Sequence, residues 1–160
     1  MNFSGKIGLT LFVLICIISN AFSQQRKIDS LKNVLEKADE DTNKVATLNR
    51  LANTLANTSN LDGAQPYYQE SFELSTKLNY NFGIAASLNY LGMIYLNKGL
   101  FPEALELFFK SLEVAEKYNI KKGMAAAMGN IGIIYENEKD YNKALRYHFK
   151  SLKIEEELGN

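Results

Sequence analysis

The sequence predicts an all-α solenoid, and three observations predict it. The chain repeats itself every 40 residues: laying 83–120 over 123–160 leaves Gly83, Ala85, Ala86, Gly92, Ile94, Tyr95, Asn97, Ala104, Leu105, Phe109, Lys110, Ser111, Leu112 and Glu116 unchanged, without a gap. These 14 identities in 38 positions stand against roughly two or three from ordinary composition, and a fixed period of this size marks a stacked array of small units. Within the period, apolar residues keep helical spacing: Leu88, Leu91 and Tyr95 at i, i+3 and i+7, then Leu105, Phe108, Phe109 and Leu112 as a partner stripe. No segment sustains the period-2 alternation of a half-buried strand, so no sheet is expected.

The elements follow in chain order. Residues 1–23 carry Lys6 as their only charge, an apolar run Ile7–Ile18, and then Ser19-Asn20-Ala21-Phe22-Ser23. A basic start, a short apolar stretch and small residues at −3 and −1 describe a secretory signal peptide, with cleavage before Gln24. The alternative is a membrane anchor through residues 7–18, a run short of the roughly 20 residues a spanning helix needs. Ile15 before Cys16 is too large for a lipoprotein-type signal, so lipidation is not expected. Cleavage leaves 137 residues without cysteine, an exported chain held by packing alone. The expected location is periplasmic or secreted. Residues 24–41 form a preface: Ile28, Leu31, Val34 and Leu35 mark one face of a short capping helix, and Asp39-Glu40-Asp41-Thr42 gives an acidic turn and a cap for the next helix.

Residues 42–160 hold the repeats, about 42–80, 81–120 and 121–160. Small residues at Ala52, Gly92 and Gly132 are expected to meet Ala64, Ala104 and Ala144 of the second helix and let each hairpin close tightly. Asn97-Lys98-Gly99 breaks the chain within a repeat and Asn119–Gly123 between repeats. Pro66 and Pro102 are placed in the first turn of second helices, where a missing N–H costs little.

The motif Leu91-Gly92-x-x-Tyr95, then Ala104, Phe108 and Ser111, recurs as Ile131-Gly132-x-x-Tyr135, Ala144, His148 and Ser151. A looser first copy reads Leu48, Leu51, Ala52, Leu55, Ala64, Tyr68 and Ser71. This resembles the tetratricopeptide repeat. Two departures stand out: the family's usual tryptophan is Leu48, Leu88 or Met128, and its late proline is Thr76, Glu116 or Glu156. The resemblance implies a right-handed α-solenoid of three helix hairpins behind the capping helix. The period exceeds the family's usual 34 residues, so each helix is expected to be longer by nearly one turn. Signal peptide, preface helix and long repeats together look like the N-terminal sensory region of bacterial histidine kinases that carry such repeats. A truncated relative, a fragment and a free-standing adaptor all stay open.

Catalysis is not expected. His148 is the only histidine, and Cys16 leaves with the signal, so no zinc ligand set or Cys-His pair remains. His148 takes the place of Phe108 and Tyr68, where a ring packs between helices. Glu155-Glu156-Glu157 points three ways around a terminal turn, and the glycines follow the repeat rather than a phosphate loop. No cofactor and no metal are expected. With Lys6 gone, 17 basic residues face 18 acidic ones, which argues against nucleic acid and, after cleavage, against a membrane surface.

The expected partner is a protein or peptide. The resemblance places binding on the first helix of each repeat, the concave face. The candidates there are Asn49, Asn53 and Asn57, then Asn89, Met93 and Asn97, then Ile133 and Asn137. Spacing by four stacks them along one helix face, and neutral amides suit the main chain of an extended peptide. Asn57, Asn97 and Asn137 also fall near helix ends, where asparagine caps or turns the chain. Lys and Arg are missing from Asn49, Asn53, Tyr90, Ala126 and Asn130, so a clamp for acidic C-terminal tails is not expected on this face. The last helix is expected to leave Tyr147, Ile154 and Leu158 partly uncovered, a surface for self-association.

Overall fold

The computed structural model describes residues 3–159, with side chains at Phe12, Ser19, Asn20 and from Phe22 onward. The described residues form seven helices and no strand: α1 (Phe3–Leu35), α2 (Thr42–Asn57), α3 (Leu61–Lys77), α4 (Asn81–Asn97), α5 (Phe101–Lys117), α6 (Lys121–Asn137) and α7 (Tyr141–Leu158). Helices α2/α3, α4/α5 and α6/α7 pair as hairpins, and each hairpin packs on the next through α3/α4 and α5/α6.

A turn built the same way every 20 residues spaces the helices. Ser59, Asn79, Gly99, Asn119, Lys139 and Gly159 all have positive φ, between 52° and 80°. The five internal turns share one hydrogen-bond pattern. In the first, Ser59 N–H donates to Ala56 O at 2.9 Å and Asn60 N–H to Leu55 O at 3.1 Å; in the last, Lys139 donates to Glu136 and Asp140 to Tyr135. This is the Schellman termination, with the left-handed residue just past the helix end. Asn60 and Asp140 then cap the following helix with their side chains, to Gly63 N at 2.9 Å and Lys143 N at 3.1 Å. Tyr80, Leu100 and Ile120 start theirs without a side-chain cap. Before the array, the Asp41 carboxylate accepts from Asn43 N and Lys44 N at 2.8 and 2.9 Å, as the acidic turn leads one to expect. These bonds hold the Asp41 carboxyl below its ordinary range.

The core runs along the hairpins. Leu51, Ala52, Ala64, Tyr68, Leu91 and Ile94 join Ile28 and Leu31 of α1; Ala104, Phe108, Leu112, Ala127, Met128, Ile131 and Ile134 form its continuation. Serine ties helices where the repeat keeps it. Ser111 Oγ donates to Ala85 O and Ser151 Oγ to Ala125 O, both at 2.8 Å, while Ser71 and Ser87 share a buried hydroxyl bond.

Three local expectations need correction. The preface is not a short separate helix: α1 runs unbroken through the expected cleavage point at Gln24, and Val34 faces solvent while Ile28 and Leu31 are buried. Pro66 lies inside α3, past its first turn, because that helix starts at Leu61; Pro102 does sit at the start of α5. The space in front of each repeat glycine is filled by a ring rather than by alanine. A Cβ on Gly92 would stand 2.6 Å from Phe108 Cε1, and one on Gly132 would stand 2.6 Å from His148 Cε1. The apolar run Ile7–Ile18 lies outside the described side chains, apart from Phe12. Among the described residues no helix is long and apolar enough to cross a membrane.

Candidate peptide-binding face

The curvature of the array identifies its inner side. First helices approach one another, α2 with α4 and α4 with α6, whereas second helices make no such backbone approach among the described residues. Side chains rising from α2, α4 and α6 therefore crowd toward a shared surface. A cavity of about 170 Å³ opens there between α4 and α6, lined by Phe82, Ala85, Ala86, Asn89, Tyr90, Ile120, Lys122, Gly123 and Ala126.

The eight candidate residues divide into three groups. Asn53 and Asn89 are already engaged. Tyr68 Oη donates to Asn53 Oδ1 at 2.7 Å, and Asn130 Nδ2 donates to Asn89 Oδ1 at 3.0 Å. Burial, reinforced by neighbouring Tyr90, pushes the Tyr68 hydroxyl well above its usual range, so it stays a donor. The Tyr68 ring stacks on Tyr90 with centroids 5.1 Å apart, which ties α3 to α4. Asn97 and Asn137 turn back on their own helices, donating to Met93 O at 2.7 Å and Ile133 O at 2.8 Å. Each bonds a carbonyl four residues back in the last turn of its helix; Asn57, at the equivalent place, is exposed. Asn49, Met93 and Ile133 remain available in part. Met93 and Ile133 are exposed apolar side chains 40 positions apart, and Asn49 Oδ1 is buried without a hydrogen-bond partner. Only Asn89 of the eight lines the cavity.

Several residues of this face escape a search for asparagine. Phe82, Tyr90, Ile120 and Lys122 line the cavity without belonging to the stripe. Arg50 occupies the place that Tyr90 and Asn130 hold 40 and 80 positions later, and it is exposed. The face is therefore mostly neutral but carries Arg50 and Lys122. Arithmetic on the 40-residue period was the signal that could have found them.

The outer side of α7 is the second uncovered surface. Tyr147, Ile154 and Leu158 are each partly covered, the first two resting against the core. More exposed than these are Tyr141, Leu145, Phe149 and Leu152, at 61%, 54%, 65% and 52%. These lie at i, i+4, i+8 and i+11, one stripe. His148 shows no catalytic setting: its ring lies over Gly132, with Glu136 Oε2 3.9 Å from Nε2. Among the described residues no cluster of three His, Cys, Asp or Glu is arranged to hold a metal.

Comparison with known proteins places this architecture. A family profile described as tetratricopeptide repeat matches residues 43–117 and again 83–157. No curated protein matches the sequence. Among solved structures, BtubC (BKLC) from P. vanneervenii superposes with a TM-score of 0.73 at 17% identity, over 92% of this chain and 62% of its own. The apo form of RapI gives 0.74 at 19% identity, over 87% and 53%. Aspartyl phosphate phosphatase F from Bacillus subtilis gives 0.74 at 16% identity, over 86% and 39%. The chain thus spans less than two thirds of each of these proteins. At such identities the likeness is one of fold.

Proposed function

This chain belongs to the tetratricopeptide repeat family, and on that premise we propose that it is an exported, non-catalytic scaffold that binds an extended peptide segment of a partner protein. The observation that carries the reading is the cavity between α4 and α6, with Tyr90 and Asn89, whose amide oxygen accepts from Asn130, at its wall. Met93 and Ile133 add exposed apolar contacts on the same helices. A mixture of ring, amide and aliphatic groups grips peptide main chain and small side chains without demanding a charge.

The test is selection from a random peptide library followed by titration of a recovered peptide. Tyr90→Ala together with Met93→Ala and Ile133→Ala is expected to weaken binding at least tenfold while the helical circular dichroism stays unchanged. Affinity is expected to change less than about threefold between low and moderate salt, because few charges are screened. Unchanged affinity in the triple variant removes the concave face from consideration.

Export rests on the N-terminal sequence. Sequencing of the exported product is expected to begin at Gln24, and a product that keeps Ile7–Ile18 replaces secretion with membrane anchoring. The sensory-module reading, in which the array feeds a histidine kinase or related regulator, rests on resemblance alone. A reading frame that runs on past Asn160 into an apolar span would favour it. A second surface supports self-association: the exposed Tyr141, Leu145, Phe149 and Leu152 stripe. Light scattering is expected to show a concentration-dependent dimer that Phe149→Lys abolishes; a monomer at all concentrations sinks this reading.

A further inference from the structure

Lys143, Arg146 and Lys150 lie at i, i+3 and i+7 of α7, on one helix face. With Tyr135 of α6 and Tyr147 of α7 they line a cavity of about 220 Å³. The two rings stack with centroids 5.7 Å apart. Lys143 Nζ stands 4.8 Å from the Tyr135 centroid, and Lys150 Nζ stands 5.4 Å from that of Tyr147. Ring faces attract cations, so the ammonium groups are held in the cavity wall.

The acids around this cavity are few. Asp140 Oδ2 pairs with Lys143 at 2.9 Å and, together with Glu138, holds its ammonium pKa above the ordinary value. Glu116 acts on Tyr147 from α5, and Glu136 faces His148. None of the ion pairs of the described residues engages Arg146 or Lys150.

The preceding repeat supplies the decisive contrast. Tyr95, Glu103, Glu106 and Leu107 line the same place against α5, where Glu106 is already paired with Lys110 at 2.6 Å. The first repeat has Gly63 and Pro66 at the positions of Lys143 and Arg146. Acid, glycine or proline thus stands where α7 carries Lys143 and Arg146; Lys150 alone repeats, as Lys110, which Glu106 already pairs.

We propose that Tyr135, Lys143, Arg146, Tyr147 and Lys150 form an anion site that takes the carboxylates of an acidic peptide segment. The guanidinium accepts a carboxylate side-on through two donors, and the tyrosine hydroxyls add donors at the rim. From Lys143 to Lys150 the helix rises about 10 Å. That is longer than one small anion needs, and it spans two carboxylates on alternate residues of an extended strand, about 7 Å apart. None of the concave-face candidates lines this cavity, so the two sites fail or stand separately.

The test uses fluorescently labelled hexaglutamate and the full chain, read by anisotropy at low salt. Saturable binding is expected, lowered at least tenfold by Arg146→Glu with Lys150→Glu, both exposed positions, with unchanged circular dichroism. Asp140→Asn keeps the helix cap, since asparagine caps as well as aspartate, but releases Lys143, so hexaglutamate is expected to bind severalfold tighter. Equal affinity in the double charge-reversal variant, or no gain in Asp140→Asn, overturns the site. Inorganic phosphate that competes as well as hexaglutamate, mole for mole, assigns the cavity to a small free anion and overturns the peptide reading.

Discussion

Helices α5 and α7 hold equivalent places in successive hairpins, with Leu, Phe, Lys, Ser and Leu identical at 105/145, 109/149, 110/150, 111/151 and 112/152. Yet α5 buries Ala104, Phe108, Ser111, Leu112 and Ala115, whereas α7 buries Ala144 alone. The difference arises from neighbours. Helix α5 is covered on both sides, by α4 and α6, while among the described residues the backbone of α7 lies against α6 alone and meets α5 through the Tyr147–Phe109 ring contact. A repeat therefore spends the same residues as core in one copy and as surface in another. Its departures from the period, such as Phe108 against His148 or Glu106 against Arg146, show where each copy answers to its own surroundings.

The largest effect expected from this contrast is at the ring position. Phe108 is fully buried over Gly92, and Phe108→Ala is expected to cost about 3–5 kcal/mol in denaturant unfolding. His148→Ala, on a half-exposed ring, is expected to cost less than about 1.5 kcal/mol. Equal losses would mean that the third hairpin is as tightly closed as the second. The glycines beneath extend the comparison. Gly92→Ala drives a methyl into a ring that cannot move, at about 1–3 kcal/mol, offset only in part by the better helix propensity of alanine. Gly132→Ala meets a ring with room to swing outward, so it is expected to be near neutral in thermal melts.

The hairpins were legible in the sequence because the period and the small-residue positions report packing needs shared by every copy. What each glycine meets was less legible. Pairing small with small, Gly92 with Ala104, overlooks that helical side chains lean toward the preceding turn; Phe108, one turn further along α5, reaches back over Gly92. Part of the asparagine stripe bonds to its own helices, for a geometric reason. Spacing by four aligns side chains on a face, but a side chain near a helix end also lies over the carbonyl four residues back, and Asn97 and Asn137 bond there. The exposed stripe of α7 could have been read from the identities with α5, since Leu105 and Leu112, packed into the core on α5, recur as the exposed Leu145 and Leu152.

A smaller effect is expected at the turns, where the same backbone carries different residues. Lys139 holds φ at 63° and Gly99 at 74°; a side chain in this region costs roughly 1–2 kcal/mol. Lys139→Gly is expected to raise stability by about 0.5–1 kcal/mol after the extra freedom of glycine in the unfolded chain is subtracted. Gly99→Lys is expected to lower it by a similar amount. Matching melting temperatures for Gly99→Lys and the parent chain would show that this turn relaxes out of the left-handed region.

The smallest effect separates how α5 and α7 begin. Leu100 gives α5 no side-chain cap, while Asp140 caps α7 through Lys143 N and pairs with Lys143 Nζ. These bonds, the side-chain bond to Lys143 first, hold the Asp140 carboxyl below its ordinary 3.8. A carboxylate more acidic in the folded than in the unfolded chain stabilises the fold above the unfolded value, and loses that contribution as pH falls through the folded one. Stability should therefore be insensitive to Asp140 near neutrality and decline only in the acid range at and below 3.8. The group is exposed and its ion pair is screened, so the decline is expected to be slight. Carboxyl NMR should place the Asp140 midpoint below 3.8. Melts of the parent and Asp140→Asn chains, which share a cap at neutral pH, should change relative to one another only within that window. A midpoint at or above 3.8 would mean that Lys143 does not hold Asp140 in solution, and that its ammonium is already free to meet an anion.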